Sequence, residues 1–317
     1  MAYANETGLL VRVARLYYGQ DKTQADIAEQ LDLSQATISR LLKRAKAAQI
    51  VRTSVIVPPG VFPDIEEALQ AKFGLKQAVV VDTIDEESHI IRDIGSAAAF
   101  YLETTIRNGD IIGISSWSAS LLAMVDVMHP LPHSLRADVV QILGGMGLPG
   151  VEAHSTQLTQ RLAGLTNGKP ILLPTPGLAS SETAKTALLQ DQFAAATIQR
   201  FNQVSIALVG IGSLQPSQML AASGNTFLPD EVNELRKNGA VGDICLHFFD
   251  QQGQPVLTKL DKRVISMELQ QFSALRRSIG IAGGQRKLSA IQGALAGKWI
   301  NVLITDRYTG ERLLKAS

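Results

Sequence analysis

The chain is poor in cysteine and has no long apolar run. Cys245 is the only cysteine among 317 residues, which excludes an internal disulfide. No stretch reaches the ~18 uninterrupted apolar residues of a membrane-spanning helix, and Arg12 and Arg15 interrupt the apolar residues near the N-terminus. We therefore expect a cytoplasmic protein without a membrane partner.

The short motifs of common hydrolases and zinc enzymes are also missing. The sequence contains no G-x-S-x-G and no HExxH, and its five histidines are scattered, at positions 89, 129, 133, 154 and 247. We expect no catalytic residue, no metal site and no cofactor.

Acidic residues are absent from Leu33 to Pro63, where five basic residues occur, namely Arg40, Lys43, Arg44, Lys46 and Arg52. Residues 1–57 carry eight Lys and Arg against five Asp and Glu, a net charge of +3. The rest of the chain carries 22 against 24, a net charge of −2. Only the N-terminal part is therefore suited electrostatically to a phosphate backbone.

Residues 23–46 have the pattern of two short helices joined by a tight turn. Thr23 and Ser34 stand where each helix would begin, and Asp26 completes a capping box with Thr23. The second helix, over 35–46, keeps its apolar residues at helical spacing and leaves a polar, basic face free. This pattern is typical of a DNA-binding helix-turn-helix, although a solvated helical hairpin is the alternative. The residues expected to face DNA are Thr23, Gln24, Ser34, Gln35, Ala36, Thr37, Ser39, Arg40, Lys43 and Arg44.

The flanking sequence predicts how this domain is bounded. A helix is expected over 8–18 after a loose arm at 1–7, and an extended segment over 50–57. Pro58, Pro59 and Gly60 then interrupt the pattern. We place the boundary there, with a DNA-binding domain at 1–57 and a second domain at 58–317.

The second domain alternates apolar runs with helical patterns. The expected strands are 78–81, 110–115, 139–143, 170–174, 204–212, 278–284 and 300–306. The expected helices are 63–73, 86–107, 117–128, 153–165, 182–201, 230–237 and 286–297. Continuous apolar strands separated by helices predict a doubly wound, mainly parallel α/β sheet. Residues 240–256 alternate instead, which predicts a hairpin or a small antiparallel excursion with a turn at Gln251–Gln254.

Several loops that follow these strands could bind a ligand, because ligands of open α/β sheets bind beyond the carboxyl ends of strands. Ser115–Ser120 enters a helix with several hydroxyls, and Gly284 precedes a lysine, Lys287, at another helix start. Each loop has a structural alternative, because such glycines also allow tight turns and such serines also cap helices. Together they predict a site for a small anionic or polyhydroxy ligand. Its expected residues are Ser115, Ser116, Trp117, Ser118, Ala119, Ser120, Gly144, Gly145, His154, Gly210, Gly212, Asp243 and Lys287.

The sequence resembles the SorC family of bacterial transcriptional regulators over nearly its whole length. The resemblance rests on LYYGQDKTQADIAEQLDLSQATISRLLKRA, GDIIGISSWSAS, ILGGMG, ALVGIGS, GAVGDICLHFFDQQGQPV, IAGGQRKLSAIQGAL and INVLITD. It implies an effector domain related in fold to ribose-phosphate isomerases and glucosamine-phosphate deaminases (Rossmann-like), used to sense phosphorylated sugars or polyols. It also implies a homodimer or homotetramer.

The resemblance implies roles for one loop and three single residues of the expected ligand site. The family's phosphate loop falls on Ser115–Ser120, its acid on Asp243 and its lysine on Lys287, and the position after its double-glycine loop falls on His154. Many members have glycine where this chain has Ser118.

Three functions are compatible with these features. The leading hypothesis is a regulator that binds operator DNA and is controlled by a sugar, a sugar alcohol or its phosphate. The second is a sugar-phosphate isomerase or deaminase with an appended DNA-binding domain, against which stands the absence of a carboxylate at Gly210–Ser213. The third is a constitutive DNA-binding protein whose α/β domain serves only for assembly.

Overall fold

The chain divides into two compact units, Met1–Pro58 and Pro59–Ser317. The computed structural model describes residues 2–51, 57–146, 152–215, 218–223 and 227–316, with only the backbone described at 2–5, 152–155 and 218. The boundary expected after residue 57 lies one residue before this division. No helix among the described residues is long and apolar enough to span a membrane.

The first unit consists of three helices, α1 (Ala2–Gly19), α2 (Gln24–Leu31) and α3 (Gln35–Ala47). The capping predictions are confirmed. Thr23 and Asp26 form a reciprocal capping box, and the Ser34 hydroxyl accepts a hydrogen bond from the backbone N–H of Thr37 at 3.2 Å. The helices bury a small core that consists of Leu10, Val13, Ala14, Leu16, Ile27, Ile38, Leu41, Leu42 and Ala45.

The two ends of this unit differ from the prediction or lie partly outside the described residues. The loose arm at 1–7 is wrong, because α1 already begins at Ala2 and Glu6 forms an ion pair with Arg44 of α3. This ion pair joins two helices, so the spacing of apolar residues along α1 could not predict it. Of the extended segment at 50–57, residues 52–56, including Arg52, lie outside the described residues, and Ile50 and Val51 pack on the helical core.

The second unit is built on a sheet of seven parallel strands within the described residues. They are β1 (Gln77–Val81), β2 (Ile111–Ile114), β3 (Asp138–Gln141), β4 (Pro170–Ile171), β5 (Ile206–Val209), β9 (Arg277–Ile281) and β10 (Val302–Asp306). Their spatial order is β1-β10-β9-β5-β2-β3-β4. The central strands β5, β9 and β10 are buried along their whole length, as expected for strands covered on both faces. The predicted parallel α/β architecture is confirmed.

The second unit also contains helices. They are α4 (Pro63–Phe73), α5 (Glu87–Thr105), α6 (Ala119–Val127), α7 (Glu152–Leu165), α8 (Glu182–Gln190), α9 (Gln192–Arg200), α10 (Gln218–Ala222), α11 (Pro229–Lys237), α12 (Leu269–Ala274), α13 (Leu288–Ala296) and α14 (Arg307–Lys315). The single helix expected over 182–201 is two helices. Asp191 breaks it with an extended backbone, and its carboxylate accepts the N–H groups of Phe193 and Ala194 at the start of α9.

A small antiparallel sheet contains β6 (Gly212–Ser213), β7 (Ala240–Ile244) and β8 (His247–Asp250). The antiparallel excursion is therefore confirmed, but the turn between β7 and β8 is at Cys245 and Leu246, both of which have positive φ angles of 53° and 66°. Such turns normally carry Asn or Gly, so the residue types Cys and Leu do not predict a turn at this place. The predicted turn at Gln251–Gln254 lies after β8, where the N–H of Gly253 donates to the carbonyl of Asp250.

Helix α14 is not among the predicted helices, and hydrogen bonds join each of its ends to another part of the second unit. At its start, Asp306 and Thr309 each accept a hydrogen bond from the backbone N–H of Gly284, at 3.0 and 2.8 Å. At its end, the ammonium group of Lys72 in α4 donates to three terminal carbonyls at 2.5–3.1 Å. A cation at this end also complements the helix dipole.

Candidate functional site

The DNA-facing surface predicted on the first unit is accessible in the structure. Of the predicted residues, Thr23, Ser34, Gln35, Ala36, Arg40, Lys43 and Arg44 are exposed, and Gln24, Thr37 and Ser39 are half-buried. The Arg40 guanidinium lies along α3, 3.4 Å from both the Ala36 carbonyl and the Thr37 hydroxyl. Arg44 differs from Arg40 and Lys43 because its ion pair with Glu6 turns it towards α1.

A cleft in the second unit lies where strands β2 and β5 end. The space between its walls is about 760 Å³ with the open mouth included. The loop Ser115–Ser120 forms one wall, and Gly210–Ser213 forms the floor beside it. Asp243 from β7 and Lys287 from the loop after β9 complete the opposite wall.

The first wall carries the N-terminus of α6. Ser118 caps this helix, and its hydroxyl accepts the backbone N–H of Leu121 at 3.4 Å. The backbone N–H groups of Ala119 and Ser120 occupy the first turn, where no intrahelical acceptor is available. Beside them, the indole N–H of Trp117 is buried and has no hydrogen-bond partner in the described part of the chain. This wall therefore has the unpaired N–H groups of a helix start at the cleft, with the buried Trp117 N–H behind them.

The floor depends on two glycines because polar side chains approach it very closely. A Cβ atom on Gly210 would lie 2.6 Å from the Ser118 hydroxyl oxygen. A Cβ atom on Gly212 would lie only 2.0 Å from Oδ1 of Asp243. Both distances are shorter than real Cβ contacts, so a side chain at either position would require the Ser118 hydroxyl or the Asp243 carboxylate to move.

Gly212→Ala is expected to displace the Asp243 carboxylate and to destabilise the second unit by about 1–3 kcal/mol, the usual cost of overpacking. Urea unfolding followed by tryptophan fluorescence measures this change. Gly164→Ala is the matched control, because nothing lies within 4 Å of a Cβ atom at that helical position. Equal stability of the two variants would contradict the close packing of Gly212 against Asp243.

The opposite wall contains a buried acid beside a basic group. Burial raises the pKa of Asp243 to about 6, although the hydrogen bond from the Leu246 N–H and the charge of Lys287 act to lower it. Burial also lowers the pKa of Lys287, and the neighbouring charge of Arg286 adds to this effect. The wall therefore places a carboxyl group, whose oxygens accept hydrogen bonds, beside a lysine amino group, which donates them.

Not every predicted residue lines the cleft. The structure brings together Ser115, Trp117, Ser118, Ala119, Ser120, Gly210, Gly212, Asp243 and Lys287. Ser116 points elsewhere, with its hydroxyl donating to the Leu143 carbonyl at 2.7 Å and accepting from the Gln141 amide at 3.0 Å. Its role in the structure is to join two strand ends.

The double-glycine loop is also a packing feature. A Cβ atom on Gly144 would lie 2.2 Å from the Pro176 carbonyl, and Gly145 forms a β-bridge with Pro176. Neither glycine lines the cleft. The side chain of His154 lies outside the described residues, so its predicted place in the site stays a prediction.

Sequence reasoning missed the rim of the cleft. Glu87 at the start of α5 forms an ion pair with Arg286 at 2.5 Å, and the turn residues Cys245 and Leu246 also line the space. Glu87 is 199 residues away from Arg286, so no local pattern could have linked them. The one feature of the sequence that could have pointed to Arg286 is its place next to Lys287, at the start of the helix expected over 286–297.

Each of the two units matches a known protein family. A family model described as "Putative sugar-binding domain" matches residues 61–315, and one described as "Sigma-70, region 4" matches residues 12–47. The chain is 35% identical over 310 residues to the deoxyribonucleoside regulator of Bacillus subtilis, which covers 96% of this chain and 97% of that protein.

Solved structures are similar as well. The crystal structure of the full-length sorbitol operon regulator SorC from Klebsiella pneumoniae has a TM-score of 0.73 and 33% identity, and covers 98% of this chain and 99% of that one. A structure described as "Putative sugar-binding domain of transcriptional regulator DeoR" from Pseudomonas syringae pv. tomato has 41% identity and a TM-score of 0.63, and covers 80% of this chain and 99% of that one.

Proposed function

The chain belongs to the SorC family of transcriptional regulators with a sugar-binding domain, and we propose that it controls a carbohydrate or polyol catabolic operon. In this proposal a sugar, a sugar alcohol or its phosphate binds the cleft of the second unit and changes operator binding by the first. The names of the relatives support this choice, since one regulates a deoxyribonucleoside system and another a sorbitol operon.

The observation that carries the proposal is the cleft itself. Asp243, Lys287 and the N-terminus of α6 come from three separate parts of the chain and face one space. A carboxylate, an ammonium group and backbone N–H donors form the mixture of acceptors and donors that hydroxyl groups require.

Operator recognition is assigned to α3, whose exposed residues include Arg40 and Lys43. A two-fold symmetric dimer or tetramer would place two such helices about 34 Å apart, or a multiple of that distance, on near-palindromic half-sites. The effector alters DNA affinity only if it binds one arrangement of the subunits more tightly than another.

Lys287→Ala is the first test of the effector site. The protein is screened by thermal shift against pentoses, hexoses, polyols and their phosphates, and the compound that stabilises it most is titrated into the operator complex. Loss of a charged hydrogen-bond donor, worth about 1.5–3 kcal/mol, is expected to weaken the effect of that compound roughly 10–100-fold. Operator affinity without the compound is expected to stay unchanged.

The matched control is Lys259→Ala, since Lys259 is an exposed lysine of the same unit that does not line the cleft. It is expected to respond like the wild type. A normal response in the Lys287 variant removes this lysine from the site. A thermal-shift screen without any stabilising compound refutes carbohydrate sensing and favours a domain that serves only for assembly.

The absence of a carboxylate at Gly210–Ser213 stands against the enzyme hypothesis in the sequence, but the structure removes this argument. Oδ1 of Asp243, from the neighbouring strand, lies next to Gly212 and supplies an acid at this loop. The choice between a regulator and an enzyme rests instead on the relatives, which are transcriptional regulators. The chain is accordingly a regulator rather than an enzyme.

A further inference from the structure

Basic side chains gather at the edge of the parallel sheet opposite to the cleft, where the strands begin. Every connection into one of its seven strands, from the last residue of the preceding helix to the first residue of the strand, contains lysine or arginine. These residues are Lys76, Arg107, Arg136, Lys169, Arg200, Arg276, Arg277 and Lys298. The acids in the same connections are Asp110 and Asp138. This amino-terminal edge therefore has a net charge of +6, whereas the second unit as a whole has −2.

The helix dipole does not account for most of these cations. Helices of a parallel α/β sheet end at this edge, and a cation in the last turn of a helix complements its dipole. The last turns of α5, α7 and α12, however, contain no basic residue. The lysines and arginines that follow these helices lie beyond the helix ends, in the connections themselves.

Half of the eight positive charges have no acidic partner. Arg276 and Arg277 both form ion pairs with Asp110, and two further arginines lie 3.9 Å from Asp138. The other four side chains are exposed and form no ion pair in the described part of the chain, namely Lys76, Arg107, Lys169 and Lys298. These four free charges are available to a negatively charged partner.

The free charges extend along the whole edge. Lys76 precedes β1 and Lys169 precedes β4, which are the two outer strands of the sheet. Lys298 and Arg107 precede β10 and β2, which lie between them. Neighbouring strands are about 4.8 Å apart, so seven strands form an edge about 29 Å long. This length is close to one turn of duplex DNA, ~34 Å.

The chemistry of the edge favours duplex DNA over other polyanions. The aromatic side chains of the described connections, Phe73, Phe201 and Trp299, are half-buried or buried, so none is exposed to stack on the bases of a single strand. Acids of a second copy are poor partners, because a contact between unlike faces of one molecule repeats into a fibre unless it closes a ring. A duplex instead presents a regular row of phosphates, which lysine and arginine contact without reading sequence.

We propose that the amino-terminal edge of the second unit is a further DNA contact, which binds the phosphates of duplex DNA without sequence preference. The first unit already holds the chain on DNA, so a weak second contact acts at high local concentration and tightens binding as a whole. The inference does not involve the effector, so it can fail while carbohydrate sensing holds.

The test measures how the full-length protein binds a random-sequence duplex of about 40 base pairs, by fluorescence anisotropy at several salt concentrations. The edge variant is Lys76→Gln/Arg107→Gln/Lys169→Gln/Lys298→Gln. Each lost phosphate contact lowers the slope of log affinity against log salt by about 0.9. The variant is therefore expected to lower the slope by about 3–4, and the affinity at 0.1 M salt tenfold or more.

The matched control removes one arginine and three lysines from exposed positions of the second unit outside these connections. It is Arg92→Gln/Lys237→Gln/Lys259→Gln/Lys262→Gln. Its net charge equals that of the edge variant, and its slope is expected to fall by less than 1. Equal losses in the two variants overturn the proposal, because total charge then explains the binding. If circular dichroism shows that a fourfold variant does not fold, Arg107→Gln/Lys169→Gln is compared with Arg92→Gln/Lys259→Gln.

Two further measurements separate DNA from protein partners of the edge. The wild type is expected to bind the duplex far more tightly than poly-L-glutamate of equal charge. Equal binding of the two polymers, lost in the edge variant, would identify the edge as a site for an acidic protein and overturn the proposal. Light scattering is expected to give the same mass for the edge variant and the wild type. A smaller mass of the edge variant would show that the edge joins copies of the chain instead.

Discussion

Asp243→Asn is expected to weaken effector binding roughly 10–100-fold and, at the same time, to stabilise the second unit above pH 6. The first effect follows from the loss of a charged acceptor beside Gly212, since hydrogen bonds to charged groups contribute about 1.5–3 kcal/mol. The second follows from burial, which raises the pKa of Asp243 to about 6 from an ordinary value of 3.8.

The direction of the pH effect can be derived from these two pKa values. Between about pH 4 and pH 6 the folded chain binds this proton more tightly than the unfolded chain, so the free energy of unfolding falls as the pH rises through that window. Above pH 6 the full cost is present, about 2–3 kcal/mol at ~1.4 kcal/mol per pKa unit. Asparagine carries no such cost, so the variant gains stability at pH 8 but little at pH 4.

Urea unfolding at pH 4.5 and pH 8 measures this difference. Both tryptophans, Trp117 and Trp299, belong to the second unit, so their fluorescence reports on that unit alone. The wild type measured in parallel serves as the reference at each pH. A variant that is less stable than the wild type at pH 8 would show that the Asp243 carboxylate stabilises the fold. Ligand affinity of the wild type is also expected to fall as the pH drops through about 6.

The double variant Arg40→Ala/Lys43→Ala is expected to lower operator affinity about 100-fold at 0.15 M salt. Both side chains are exposed on α3 and neither forms an ion pair in the described residues. If each contacts a phosphate, the slope of log affinity against log salt should fall by about 2. If Arg40 reads a base edge, the loss includes specificity, and variant operators will be discriminated less well.

Fluorescence anisotropy with labelled operator at several salt concentrations provides the measurement. The matched control is Arg12→Ala/Arg15→Ala, which removes the same charge from exposed positions on α1. The control is expected to change affinity only a few-fold. Equal losses of operator affinity in both double variants would mean that the total charge of the first unit, rather than the side chains of α3, determines operator binding.

The helix-turn-helix could be predicted almost completely from the sequence, because its determinants are local. Thr23, Asp26 and Ser34 form their caps with residues three positions away, and the buried residues of α3 repeat at helical spacing. Proline and glycine near α4 likewise define its ends, and the predicted bounds 63–73 match the structure. Local chemistry therefore specifies where these elements begin and end.

The cleft was only partly predictable, because its decisive contacts join distant parts of the chain. Gly212 was expected to bind ligand, yet its clearest function is to admit the Asp243 carboxylate from another strand. Gly144 showed the same glycine pattern but packs on Pro176, away from the cleft. Glycine loops at strand ends thus look alike in sequence, and only their partners distinguish a binding loop from a packing one.

The attachment of α14 at both ends has a mechanical consequence. The helix is about 14 Å long, given nine residues at 1.5 Å each. Its first turn is fastened to the loop that leads to Lys287, and its last carbonyls are fastened to Lys72 of α4. Within the second unit, α14 therefore joins the loop that leads to Lys287 with α4, the first helix after the Pro58–Gly60 segment.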